Sequence, residues 1–166
     1  ILAVVPDHVT TVGIFRYLGV DELLAITGAL RLDAAQLHGD EPPAFTAAVA
    51  AGVQIVIKAV TAGGPAVRTI ADHLARPGDI VMLDAADPGG GVPFDWDLVG
   101  DLGSQHRILL AGGLHPGNVA EAIRRVRPWG VDVASGVESA PGRKDPDAIA
   151  RFVAEARAAG SRTRDS

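Results

Sequence analysis

Two small-residue pairs, Gly112-Gly113 and Ser135-Gly136, stand at the ends of two successive apolar runs. Glycine lets a backbone come close to an anion, and consecutive N–H groups supply directional donors. A helix N-terminus behind them adds favourable dipole charge, so such a phosphate cradle requires no Lys or Arg. Taken singly, each pair reads equally well as a turn. Taken together, on consecutive strand ends, they point to phosphate binding. Asp84 closes another apolar run, Ile80-Val81-Met82-Leu83. By position alone it reads first as a loop carboxylate or a cap, for which Asp is common. A group for proton transfer is the second reading.

The elements that must position these residues alternate. Short runs rich in Val and Ile are expected as strands at 11–15, 34–38, 53–60, 79–84, 107–111 and 131–134. Helices are expected at 21–30 with Asp21 as cap, at 42–51 with Pro42 at the start, and at 66–75. A short helix follows Asp95, a longer one covers 116–126, and a last one starts at Asp145-Pro146 and stops at Gly160. Residues 161–166 are then a flexible tail and residues 1–160 a single domain. Six strands, each followed by a helix, imply a parallel sheet with right-handed crossovers. An open doubly wound sheet and an eight-stranded barrel both satisfy that order. No Gly-x-Gly-x-x-Gly follows the first strand, which weakens a dinucleotide site. Glycines at the ends of the last two strands favour a phosphate-binding barrel.

The bulk properties bound the partners. The chain has 166 residues, 48% hydrophobic and 21% charged, which suits one globular domain with its own core; the α/β class follows from the element order. Aromatic residues are only 4%, so the core is aliphatic. A net charge of −5 argues against a nucleic-acid surface but not against a local anion pocket. There is no cysteine, which rules out disulfides and thiolate metal sites within these residues. No apolar run reaches the roughly 18 residues of a membrane span. The opening Ile1-Leu2-Ala3-Val4-Val5-Pro6 lacks the basic region and cleavage site of a signal peptide. A cytoplasmic protein with a late-starting chain is the expectation.

Several ordered motifs then carry a family resemblance. Gln36-Leu37-His38-Gly39-Asp40-Glu41 comes first, followed by Lys58-Ala59, Leu83-Asp84 and Phe94-Asp95-Trp96. Leu110-Ala111-Gly112-Gly113-Leu114 and Asn118-Val119 come next. The most specific block runs from Gly130-Val131-Asp132-Val133 through Ala134-Ser135-Gly136-Val137-Glu138, and Gly142-Arg143-Lys144-Asp145 completes the series. From about residue 12 to residue 157 the chain resembles the phosphoribosylanthranilate isomerases of tryptophan biosynthesis.

The resemblance implies a (βα)8 barrel of which this chain holds about six units, strands three to eight. It implies an Amadori rearrangement of N-(5-phosphoribosyl)anthranilate to an aminoketose, with no metal and no organic cofactor. An acid protonates the ribose ring oxygen and opens the ring; a base then takes the proton from C2 of the iminium. Asp84 matches the family's acid, and its apolar strand end favours a carboxyl group's neutral form. Gly112, Gly113, Ser135 and Gly136 match the phosphate cradle. Asp132 matches a position that orients substrate, and a buried Asp shaping the loop is the other reading. Gln36 and His38 are expected to support the site from behind the groups that touch substrate.

The pattern also departs. The family's base is a Cys in a Lys-Ile-Cys-Gly motif on its first strand, and an Arg after its second strand binds the anthranilate carboxylate. Both belong to the part of the pattern before the point where this chain opens. The family's covering loop is replaced by Pro88-Gly89-Gly90-Gly91-Val92-Pro93, without its Thr and basic residue. His115 and Arg16-Tyr17 replace smaller or polar residues. Another sugar-phosphate barrel enzyme, or an inactive phosphate-binding fragment without its base, is the alternative reading. Partners are expected to be the small phosphoribosyl substrate, and a second copy or a fused enzyme of the same pathway. Neither nucleic acid nor membrane is expected.

Overall fold

The computed structural model describes residues 2–62, 64–85, 95–99 and 102–164. The chain forms two compact units, one of residues 1–59 and 69–81 and the other of residues 60–68 and 82–166. Six strands lie in one sheet in the order β1-β2-β3-β4-β5-β6. Strand order thus follows chain order, as short right-handed crossovers dictate.

In the first unit, β1 (Val12–Phe15), β2 (Ala34–Leu37) and β3 (Ile55–Thr61, which runs on into the second unit) pair in parallel. Helix α1 (Val20–Leu30) connects the first two strands and α2 (Pro43–Ala50) the next two. Phe15, Leu23, Leu37, Val49, Val53 and Val56 form the buried core, with Leu18, Leu24 and Phe45 packed on its rim. Leu23, Leu37, Val49 and Val56 are almost wholly out of water. Each contributes about 1.5–3 kcal/mol through that burial. Asp79 closes the unit's far end by accepting from Val56 N at 3.1 Å and Arg76 N at 3.0 Å.

In the second unit, β4 (Ile80–Asp84, begun in the first) is followed by a 3-10 turn at Trp96–Val99 and by α3 (Leu102–Gln105). Strand β5 (Ile108–Leu110), α4 (Val119–Val126) and β6 (Gly130–Val131) follow. A 3-10 turn at Ser135–Val137 leads into a two-stranded antiparallel hairpin, β7 (Glu138–Ala140) and β8 (Arg143–Lys144). Helix α5 (Pro146–Arg164) ends the described chain and packs on α4.

The expected α/β order and the six strands are present, but several boundaries differ. Asp21 does not cap α1: Gly19 is the cap, with no side-chain bond, and Asp21 lies in the first turn. There it faces the positive end of the helix dipole instead. Pro42 precedes α2 as its cap, with Pro43 as the first helical residue. The helix expected at 66–75 is a 3-10 segment, Pro65–His73, broken at Thr69 (φ −118°, ψ 21°). The helix expected from Pro116 begins at Val119, because residues 116–118 form a turn closed by His115. The last strand is only two residues long, and the β7–β8 hairpin after it had no signal in the sequence. Its strands are polar and mostly exposed, so no apolar alternation marks them. Finally, α5 passes through Gly160 to Arg164, so residues 161–164 are helical where a tail was expected. A glycine costs a helix about 1 kcal/mol, too little to stop one held by its neighbours. The altered loop at Pro88 to Pro93 lies outside the described residues.

Candidate active site

The sequence-derived acid and cradle residues all belong to the second unit, and the backbone ladder sets their strand ends in series. Ala62 N donates to Asp84 O, Ala111 N to Leu83 O and Asp132 N to Leu110 O, each at 2.8 Å. The ends of β4, β5 and β6 therefore present Asp84, Gly112 and Asp132 on one side of the sheet. Parallel strands do this because all their C-terminal ends point the same way.

Asp84 is half-buried, and its Oδ1 accepts from Ala85 N at 2.8 Å. Gly112 and Gly113 both take left-handed backbone angles, φ +80° and +66°. Glycine occupies that region without steric cost. A Cβ on Gly112 would lie 2.3 Å from Ala85 N and 2.9 Å from Asp84 Oδ1. No side chain fits there, so the first glycine loop packs closely against the Asp84-Ala85 segment.

Asn118 holds the rest of this loop. Its Nδ2 donates to Gly113 O at 2.9 Å, and its Oδ1 accepts from His115 N at 2.8 Å. His115 turns its ring back on the same loop, where Nδ1 accepts from Gly117 N at 3.1 Å. The second cradle pair is locked to the first. A Cβ on Gly136 would sit 1.8 Å from Leu114 O, far inside contact distance. Gly136 is half-buried, whereas Ser135 is exposed beside it. Asp132 is also exposed, where the alternative reading expected a buried carboxylate. Acid, first loop and second loop thus interlock through positions where only glycine fits. Spacing alone marked these residues as strand ends; it gave no sign of the interlock.

Gln36 and His38 lie in the first unit. Gln36 is buried in β2, and its Nε2 is 2.9 Å from His38 Nδ1. An amide nitrogen only donates, so with the amide placed this way the ring proton of neutral His38 resides on Nε2. Gly39, next in the motif, is held at both polar atoms. Its N–H points at the two oxygens of Glu41, each at 3.1 Å, and its carbonyl accepts from Lys58 Nζ. Lys58 is 3% exposed and is paired with Glu41 at 2.8 Å. A buried ammonium needs such a partner, because an unpaired one would lose its hydration without compensation. Below it, buried His73 shares a 3.3 Å contact with Thr46 Oγ1. Burial first, and then the charge of Lys58, push the His73 pKa down from its ordinary value. Lys58, Glu41 and Asn118 were legible only as motif letters; their roles depend on partners distant in sequence.

Among the described residues, no group of three or more His, Cys, Asp or Glu side chains is placed to hold a metal ion. No helix among them is long and apolar enough to cross a membrane.

Comparison with known proteins bears on what this arrangement serves. The model of the family described as N-(5'-phosphoribosyl)anthranilate (PRA) isomerase matches residues 2–155. A protein of Myxococcus xanthus named N-(5'-phosphoribosyl)anthranilate isomerase is 49% identical over 158 residues, covering 92% of this chain and 73% of its own. The crystal structure of phosphoribosyl anthranilate isomerase from Thermotoga maritima superposes with a TM-score of 0.81 at 37% identity, covering 95% and 77%. A crystal structure of such an isomerase in complex with reduced 1-(o-carboxyphenylamino)-1-deoxyribulose 5-phosphate gives 0.78 at 35% identity, covering 95% and 76%. The chain therefore spans about three quarters of the length of these relatives.

Proposed function

This chain belongs to the N-(5'-phosphoribosyl)anthranilate isomerase family, and from that premise we propose which of its residues carry the family's reaction. The function is the isomerisation of phosphoribosylanthranilate in tryptophan biosynthesis, on a small phosphoribosyl substrate. Asp84 is the general acid. It gives its proton to the ribose ring oxygen as the C1–O bond breaks, and the anthranilate nitrogen lone pair forms the C1=N bond. A base then removes the C2 proton, and the electron pair of that C–H bond moves to neutralise the iminium. The resulting enol-amine rearranges to the aminoketose. Backbone N–H groups around Gly112, Gly113, Ser135 and Gly136 hold the phosphate, with Asp132 beside them to orient the sugar. Gln36 and His38 act as polar support.

The observation that carries this reading is the packing of Gly112 against Asp84-Ala85. A Cβ on Gly112 is barred first by Ala85 N at 2.3 Å and then by Asp84 Oδ1 at 2.9 Å, so the phosphate loop lies beside the acid. A substrate gripped by its phosphate is thereby placed at a fixed distance from the proton donor, which is what proximity catalysis requires. The six parallel strands are read as strands three to eight of an eightfold barrel. The share of the relatives' length that the chain covers supports that correspondence. The base, a Cys in the family pattern, has no counterpart among these residues, which hold no cysteine.

The acid assignment is tested on the chain joined to the leading portion of a relative, which brings that base. Asp84→Asn is expected to cut kcat by about 10²–10⁴-fold, the usual worth of a general acid. Turnover within a factor of about two of the parent would remove Asp84 from the mechanism.

A further inference from the structure

From the hairpin after β6 we infer that Lys144 is a positioning residue for the phosphate cradle: its ammonium bolts the backbone carbonyl just before Ser135-Gly136 to the carboxylate of Glu138. This rests on the phosphate-binding reading of Ser135 and Gly136 given above. Lys144 Nζ donates to Ala134 O at 2.8 Å and to Glu138 Oε1 at 2.6 Å. The other carboxylate oxygen of Glu138 accepts from Gly142 N at 3.0 Å. Gly142 sits in the left-handed region at φ +75°, which closes the hairpin and returns the chain to Lys144. Lys144 and Glu138 together therefore tie three parts: the end of the β6 loop, the start of β7 and the turn to β8.

Ala134 needs such a tie. It stands at φ −118°, ψ −83°, outside helix and strand alike, and directs the chain into the Ser135–Val137 turn. That turn must present N–H groups toward an anion while Gly136 presses on Leu114 O. The Ala134 carbonyl and the Ser135 N–H share one planar peptide, so a shift of the carbonyl would rotate that N–H. Asp145 N bonds Val137 O at 2.8 Å and secures the far side of the same turn. Glu138 in turn restrains Lys144. The Lys144 ammonium, and next the Gly142 N–H, hold its carboxyl below the usual range, so it stays charged near neutral pH.

A second way for Lys144 to act would be simple attraction of the phosphate by its charge, and the two give opposite results at Glu138. The experiment titrates the 166-residue chain with inorganic phosphate, following backbone amide shifts of Ser135 and Gly136, with a thermal melt of each variant. Lys144→Met is expected to weaken phosphate binding about tenfold, the worth of a charge-assisted hydrogen bond. Lys144→Arg should restore it to within about threefold, because a guanidinium can span both acceptors. Glu138→Gln should also weaken binding, although it removes a negative charge. Unchanged binding in Lys144→Met with a folded protein, or tighter binding in Glu138→Gln, would overturn the positioning role. If Lys144→Met does not fold, Glu138→Gln alone decides between the two. Absence of phosphate binding in the unaltered chain would instead overturn the cradle reading on which the inference stands.

Discussion

Buried His73 illustrates how a single residue couples this fold to pH. Its pKa lies below its ordinary value of 6.5 because burial, and then Lys58, disfavour the imidazolium, while Asp72 and Glu41 oppose them weakly. In the unfolded chain no such penalty exists. As pH falls through 6.5, the unfolded state therefore takes up a proton before the folded state does. Stability is then highest above that value and declines as pH falls toward the lower pKa of the folded protein, below which the loss is complete. Urea denaturation at a series of pH values should show this decline, and His73→Gln should flatten it. An equally steep decline in the variant would assign the effect to another group. Lys58 and Glu41 carry the complementary lesson. Removing Glu41 leaves the buried Lys58 ammonium without its opposite charge, so the pair acts as a unit.

At the scale of elements, the cradle depends on how α4 begins. Asn118 spends both ends of its amide on the preceding loop rather than capping the helix N–H groups. Asn118→Ala should therefore cost about 1–2 kcal/mol. It should also speed hydrogen exchange at His115 and Gly117 ahead of the helix interior. Exchange rising only inside α4 would show that Asn118 serves the helix and not the loop. Helix boundaries were the least legible feature for the same reason. Pro116 looks like a helix start by residue type, but the His115 carbonyl takes the N–H groups of both Asn118 and Val119, and the helix starts only there. By contrast, Asp145 was legible as a cap, since Pro146 follows it, and it accepts from Asp147 N and Ala148 N as expected.

At the scale of the molecule, membership of the family and the share of it represented here lead to one expectation. The chain spans about three quarters of the length of its relatives, and these 166 residues hold no cysteine to match the base that the family resemblance implies. The chain should therefore bind phosphoribosyl ligands but turn over slowly by itself. Supplying the leading portion of a relative, in trans or by fusion, should raise kcat strongly and change phosphate affinity little. Equal turnover with and without that portion would place the base inside the present sequence. Such a result would redirect attention to the carboxylates and histidines at the strand ends.

Residue type and order alone determined the alternation of strands and helices, the aliphatic core, the family, and the strand ends that carry Asp84, Gly112 and Asp132. These are local properties: apolar runs, turn residues and motif letters record them directly. The tertiary structure decided which of those strand ends touch. The exclusion of any Cβ at Gly112 and Gly136, the Lys58–Glu41 pair around Gly39 and the Lys144 bridge to Ala134 all join residues from separate segments. A one-dimensional pattern marks such residues as present, but only the packing of strands and loops brings their atoms within reach.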